Sequence, residues 1–405
     1  MTTTMSIIKD SDTLLEFCNC LSHSEYITVD TEFIREKTYW PQLCLVQLAN
    51  KNDARAIDVL ANELDITPLL NLMANKRVLK VFHAARQDLE IFYKLANELP
   101  TPIFDTQVAA MVCGFGESVG YETLVNNIAG KEIDKSSRFT DWSLRPLTEK
   151  QVAYALGDVT HLCEVYENLR AKLSKTGRDS WLEEEINKLT DKKVYLAEPE
   201  EAWRRLKIRN PKRRILAILR ELAAWREIEA QKRNLPRNRI LRDDALIEIA
   251  HHMPNSIEEL SRTRGLGLRH AQGPAGKNIL KALENGKNLP DNLCPSLPRR
   301  PKHPRGIGPI VDLLKVLLKM KSTEEDVAQK LIATGDDIEK IAAQGEMAEV
   351  PALFGWRREL FGQEALKTKS YQRDYDAKEM NPGFRPNLMA VAPDFTRVLM
   401  MIDEG

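Results

Sequence analysis

Short β-branched and apolar runs crowd the first half of this chain and disappear after about Lys193. Tyr26–Thr31 (YITVDT), Leu43–Leu48 (LCLVQL), Arg55–Val59 and Val78–Phe82 have the length and composition of strands. The connections between the first three are too short for helical crossovers. They are therefore expected to form an antiparallel meander, with later strands arriving through helices. Helical periodicity surrounds them at Ser11–Leu21, Pro68–Asn75, Ala85–Ala96 and a long stretch from about Thr148 to Lys172. Thr148, followed by Glu149 and Lys150, suits the start of that last helix, because a threonine hydroxyl can accept from the free amides of a first turn.

Beyond Lys193 the pattern is helical only: Arg213–Lys232, Asp243–His252, Ser256–Thr263 and Lys277–Glu284. Pro295–Pro309 holds five prolines and reads as a linker. A second helical block follows, with Ile310–Met320, Thr323–Ala333, Gly335–Ala343 and Pro351–Phe361, the last closed by Gly362. The two blocks share length and rhythm, which predicts a duplicated module. The final 35 or so residues show no period. The expected organisation is an α/β domain at 1–200, helical domains at 209–290 and 300–370, and a tail at 371–405.

The net charge of zero, 59 basic against 59 acidic residues, hides three unlike blocks. Residues 1–200 carry 22 basic and 31 acidic side chains, residues 201–320 carry 26 and 12, and the remainder 11 and 16. Such asymmetry signals partners. No apolar run reaches the roughly 18 residues of a spanning helix, and MTTTMSIIKD has no secretory pattern. The six scattered cysteines, without a C-x-x-C pair, fit reduced thiols and a cytoplasmic location.

Three fragments carry chemistry. Asp30 and Glu32, two apart in a strand, share a face. Their charges repel unless a cation neutralises them. Tyr154 and Asp158, four apart in a helix, also share a face. Asp88 falls where a strand gives way to a helix. Each fragment alone has an ordinary reading as surface charge or helix-start acid. Together they suit hard divalent cations, which take oxygen ligands. Two such ions can hold a phosphodiester for in-line hydrolysis, with a tyrosine hydroxyl orienting the water.

These motifs resemble those of the ribonuclease D family, in the tyrosine-containing branch of the DEDD exonuclease superfamily. Asp30 and Glu32 match its D-x-E, Asp88 in HAARQDLE its second motif, and Tyr154 with Asp158 its Y-x-x-x-D. Tyr39–Leu48 (YWPQLCLVQL) matches the family's second strand. Pro211–Arg220, Trp225–Arg242 and Asp244–Ala250 resemble the helicase-and-RNase-D C-terminal (HRDC) module, and residues 305–362 look like a diverged second copy. The resemblance implies an RNase H-like mixed sheet followed by two all-α HRDC-type domains. It implies a 3′→5′ exoribonuclease with Asp30, Glu32, Asp88 and Asp158 holding two Mg²⁺ or Mn²⁺ ions and Tyr154 positioning the water. Its products would be 5′-monophosphates and its substrates tRNA precursors and structured RNAs with short 3′ tails. A DNA exonuclease of the same superfamily and a non-catalytic RNA-binding protein are the alternatives.

Between Trp203 and Arg242 lie 14 basic residues and only three acids. Such a surface is expected to attract RNA phosphates. Trp225, mid-helix, is expected in the core. Phe33 and Tyr39, near the D-x-E, are candidates for stacking on a terminal base, and equally for places in the core. His83 is expected to support the site and not to bind metal. Gly273–Asn278 lacks the leading glycine and the Ser/Thr of a phosphate loop, and no strand precedes it, so ATP binding is not expected. The chain is expected to act as a monomer away from membranes.

Overall fold

The computed structural model describes residues 7–134, 136–297, 304 and 306–370. They form two compact units, one up to residue 300 and one from residue 301. Part of the predicted 295–309 linker and all of the 371–405 tail lie outside the described residues.

The first unit opens with a six-stranded sheet: β1 (Ile7–Ile8), β2 (Tyr26–Ile34), β3 (Gln42–Ala49), β4 (Ala54–Ile57), β5 (Leu79–Phe82) and β6 (Ile103–Asp105), in the order β1-β4-β3-β2-β5-β6. The β2–β3–β4 meander is antiparallel, while β5 pairs parallel with β2 and β6 with β5. That is the predicted arrangement. The predicted strands do not include β1 and β6, which are too short to show a period. Strand β3 is buried along nearly its whole length because both sheet faces are covered, and it accordingly reads as a largely apolar run, interrupted within by Gln47. Helices α1 (Ser11–Leu21), α2 (Thr67–Ala74) and α3 (Arg86–Ala96) build one core. Two short helices follow, α4 (Thr106–Val112) and α5 (Tyr121–Ala129). The long α6 (Glu149–Thr176) then packs on β2, β3 and β4, and α7 (Asp179–Leu189) ends the series.

Helix α6 starts where predicted. Thr148 and Gln151 form a reciprocal capping box, and Gly177 closes it in the left-handed region at φ 67°.

The rest of the first unit is helical: α8 (Arg213–Arg233), α9 (Arg237–Ile240), α10 (Asp243–His252), α11 (Ile257–Ser261), α12 (Leu268–Gln272) and α13 (Pro274–Asn288). Its core includes Trp203, Leu219, Leu222, Leu246 and Ile279, and Trp225 packs against it as expected. One glycine of the rejected phosphate loop, Gly276, has a packing reason. A Cβ on Gly276 would sit 1.8 Å from the Ala271 carbonyl oxygen. Gly286, further along α13, lets that helix approach α8, where a Cβ would stand 2.5 Å from Ile218 Cα.

The second unit contains α14 (Gly308–Glu324), α15 (Gln329–Ile332), α16 (Gly335–Gln344) and a helical segment at 355–370. Two expectations fail here. The predicted helix Thr323–Ala333 does not exist as such. Helix α14 runs through Thr323, and the chain then turns at Asp326, which adopts φ 52°. The Ser322 hydroxyl donates to Val327 O at 2.6 Å and so ties down the end of α14. Gly362 is no cap either. It lies within the 355–370 segment, where a Cβ would stand 2.4 Å from the Ala352 carbonyl oxygen. Its small size serves packing, while Phe354, in extended conformation, breaks the predicted Pro351–Phe361 helix.

Candidate active site

Strand β2 brings Asp30 and Glu32 under α6. The Thr28 hydroxyl donates to the Val159 carbonyl of α6 at 2.8 Å, fixing strand against helix. Between Glu32 and Phe33 the β2–β3 register slips, so Cys44 of β3 is left out of the pairing. A bulge bends a strand and re-aims its side chains, and this one falls at the acidic pair. Tyr154 and Asp158 approach from α6. Oxygens of Asp30, Glu32 and Asp158 all lie within 4.8 Å of one another. Asp88 joins from the first turn of α3, where it accepts from the Thr31 hydroxyl. All five predicted residues line one cleft of about 1170 Å³.

Asp105, which sequence reasoning passed over, determines where α3 begins. Its carboxylate accepts from Ala84 N (3.0 Å) and Ala85 N (2.8 Å) ahead of α3, and from Gln107 N (2.8 Å) at the start of α4. Ala84 is held at φ 56°, a conformation uncommon for a residue with a Cβ. One buried carboxylate thus ties together the two helix starts beside Asp88. Asp-Thr before a helix is a readable capping signal, but its second role has no sequence signature. His83 lines the cleft with Nδ1 3.0 Å from the Thr106 hydroxyl. That hydroxyl donates to Phe82 O, so it accepts from the imidazole. Burial pushes the imidazole below its usual value, consistent with a supporting role.

The cluster lacks balancing charge. Burial pushes Asp30 up to about 6. Burial, then the Asp30 charge, pushes Asp158 up to about 8. Burial, then Asp30, Asp158 and Asp88, pushes Glu32 up to about 10. Asp88 is raised well above the usual range by burial and Asp30. Arg138 is the cation whose charge works the other way, on Glu32 and Asp158. An all-oxygen donor set with surplus negative charge fits hard divalent cations.

Residues 5–174 match a family model described as 3′-5′ exonuclease, and residues 215–283 match the HRDC domain. Ribonuclease D of Granulibacter bethesdensis is 48% identical over 366 residues, covering 90% of this chain and 92% of that protein. The chain belongs to the ribonuclease D family. Ribonuclease D of Acidiphilium cryptum is likewise 48% identical, over 90% of this chain and 92% of its own. Among solved structures, Escherichia coli RNase D, described as an exoribonuclease involved in structured RNA processing, matches with TM-score 0.76 and 31% identity, over 91% of this chain and 98% of that one. The catalytic core of RRP6 from Trypanosoma brucei shares the fold, with TM-score 0.53 and 19% identity over 71% of this chain and 80% of that one. The protein is therefore a 3′→5′ exoribonuclease of the DEDD superfamily, whose fold implies divalent metal use. No helix among the described residues is long and apolar enough to cross a membrane.

Within this ribonuclease D fold the two stacking candidates part company. Phe33 lines the cleft. Tyr39 does not, because it is buried against the helical module. Its hydroxyl donates to the buried Glu227 of α8 and accepts from Arg237 Nη2 at 3.0 Å and Gln231 Nε2 at 3.3 Å. The Trp40 amide donates to Asn234 Oδ1 at 3.0 Å. Tyr39 is thus an anchor between the catalytic domain and the module, and the Tyr39–Trp40 pair ahead of an apolar run carries no sign of that in the sequence.

The 14 basic residues also divide. Arg214 donates to the carbonyls of Gly286 (3.2 Å), Lys287 (2.9 Å) and Leu289, Arg226 to Leu241 O at 2.8 Å, and Arg213 to Cys294 O at 2.6 Å. Arg205 and Arg237 face Glu227. Lys207, Arg209, Lys212, Lys232, Arg233, Arg239 and Arg242 are exposed.

Proposed function

We propose that Asp30, Glu32, Asp88 and Asp158 hold two Mg²⁺ or Mn²⁺ ions and that Tyr154 orients the attacking water. The enzyme then trims the 3′ ends of tRNA precursors and other structured RNAs, one nucleotide at a time, releasing 5′-monophosphates. The observation that carries this reading is the meeting of three carboxylates within 4.8 Å, short of positive charge, at the floor of an open cleft. Bound there, the cations would supply a hydroxide-like water near neutral pH and offset charge on the leaving oxygen. Burial, then the Asp158 and Glu32 charges, pushes the Tyr154 phenol well above its usual value. It keeps its proton, so it can hold a water in place but not deprotonate it.

The domain reading is a catalytic domain at 1–200, a first HRDC domain at 209–290 and a diverged HRDC-like domain at 300–370. The helical second unit and its α14–α16 succession support the last of these. Because the catalytic domain is acidic, the exposed basic residues of the first module supply affinity for RNA backbone.

Digestion of a tRNA precursor carrying a short 3′ tail, with and without EDTA, tests this reading. Stepwise shortening that yields 5′-monophosphates and stops in EDTA is expected. Asp30→Asn should abolish shortening and leave RNA binding intact. Shortening that persists in EDTA, or a near wild-type rate for Asp30→Asn, would overturn the site assignment.

A further inference from the structure

Phe139 is 89% exposed, the most exposed of the large apolar side chains among the described residues, and it stands on the rim of the acidic cleft. An aromatic ring left in water gains nothing from burial, so its position calls for another reason. The segment that presents it is tied down from both sides. Arg145 pairs with the buried Asp58 through Nε (2.8 Å) and Nη2 (2.6 Å), and its Nη2 also reaches the carbonyl of the bulged Cys44 at 2.8 Å. The buried Trp142 packs beside Tyr154, ring centroids 6.2 Å apart. Gln151 Nε2 donates to the Thr140 hydroxyl at 3.1 Å, and that hydroxyl donates to Ser137 O at 2.8 Å. The loop is held to the same sheet bulge and the same helix that carry the acidic residues.

Arg138 adjoins the ring, its guanidinium carbon 5.2 Å from the centroid, and it also lines the cleft. A flat apolar face beside a cation, at the mouth of a phosphodiester-cleaving site, has the chemistry of a single-strand platform. Bases stack on aromatic rings without regard to sequence, while arginine meets the phosphates. Phe33, partly buried against the sheet core, offers less free ring to a base.

We propose that Phe139 stacks on a base of the RNA 3′ tail as it enters the cleft, and that Arg138 contacts the adjoining phosphate. This rests on the reading of the cleft as the active site. It makes the loop a substrate-positioning element for single-stranded ends.

The test is steady-state kinetics on a duplex RNA with a three-nucleotide 3′ tail and on the same duplex with an abasic ribose tail. Phe139→Ala should raise KM about 5- to 100-fold on the normal tail, with kcat little changed, and Phe139→Trp should restore it. The wild type should lose a similar factor on the abasic tail, and Phe139→Ala should lose nothing further there. Arg138→Gln should raise KM on both tails alike, because both keep their phosphates. A KM for Phe139→Ala within about twofold of wild type, or an equal abasic penalty in both proteins, would overturn the proposal. Asp30→Asn run alongside separates the two readings: normal trimming by that variant sinks the cleft assignment itself, whatever Phe139 does.

Discussion

Two sets of buried carboxylates in the first unit are treated in opposite ways. Glu227, with a side chain only 1% exposed, meets Arg237 through Nε at 2.5 Å and Nη2 at 2.6 Å, Arg205 at 3.3 Å, and the Tyr39 hydroxyl. Burial pushes its carboxyl up, but the Arg237 and Tyr39 hydrogen bonds outweigh that and hold it below its usual value. Among the described residues, Asp30, Glu32, Asp88 and Asp158 have no ion pair of that kind, only the Arg138 charge acting on Glu32 and Asp158. Burial raises all four, and repulsion from neighbouring carboxylates adds to it for Glu32, Asp88 and Asp158. Where a carboxylate fastens one part of the fold to another, the chain supplies its own cation. Where the chain withholds one, the site is left to receive cations from solution.

The strongest way to break this contrast is to neutralise one member of the unbalanced set. Asp158→Asn should lower turnover at least roughly a hundredfold, since a lost ligand removes several kcal/mol of transition-state stabilisation. The same substitution should raise the Tm of the metal-free protein, because it removes a buried repulsion. A fall in metal-free Tm would mean that the cluster is structural. The pH dependence has a definite sign. With Asp30 at about 6, Asp158 at about 8 and Glu32 at about 10, these groups hold more protons in the native state than in the unfolded chain above pH 4. Their contribution to metal-free stability should therefore fall as pH rises from about 4 to 10, while the buried Lys80, pushed down to about 7, acts with the opposite sign above that value. Mg²⁺ should release protons on binding and flatten that slope. Denaturation curves across pH, with and without Mg²⁺, measure both effects.

Glu227 provides the opposite control. Glu227→Ala strips a buried ion pair of one partner and should destabilise the protein by about 3 kcal/mol. In the wild type, the contribution of Glu227 is present above its unfolded pKa and is lost as pH falls through the lower folded value. Its slope is thus opposite to that of the active-site cluster. A loss of activity without a loss of stability would show that the Tyr39 anchor serves catalysis directly.

Periodicity explains what could be read in advance. Asp30 with Glu32, and Tyr154 with Asp158, belong to regular elements where spacing fixes direction, so their faces were legible. Ser11–Leu21 and Asp243–His252 were legible to the residue because each is amphipathic and bounded by clear breaks. The Cys44 bulge, the Arg145–Asp58 tie and the exposed Phe139 were not, since they arise from loops and long-range contacts without a period. The sequence left Tyr39 open between a stacking ring and a core residue for a similar reason. Proximity in sequence to the D-x-E suggested the cleft, but residues 35–41 cross to the helical module, where the partner of Tyr39 is 188 positions away.

Asp105 lies between the two classes, a charged residue satisfied entirely by backbone amides. Asp105→Asn keeps the shape but turns one acceptor oxygen into a donor facing amide hydrogens. Activity should fall about 10- to 100-fold, as for other residues that orient ligands from behind, with a smaller loss of stability. Added Mg²⁺ should recover part of the rate, because a displaced Asp88 weakens binding before it affects chemistry. Asp105→Asn with wild-type Mg²⁺ dependence would show that α3 is placed by other contacts.

The smallest effect divides the basic stretch along the same line. Arg214 and Arg226 already direct their hydrogen bonds to carbonyls of their own module, so neutralising them should lower stability more than it changes RNA affinity. Lys232 and Arg233 are exposed at the end of α8, and replacing both with glutamine should leave Tm unchanged. The pair should raise KM only a few-fold and reduce the slope of affinity against salt by about 2, one for each phosphate that is no longer neutralised. An unchanged salt slope would place the RNA on another face of the module and leave the charge of α8 as a solvated surface. A proportionate change would mean that the second half of the chain uses its surplus arginines in two distinct ways, some to close its own fold and others to hold the substrate.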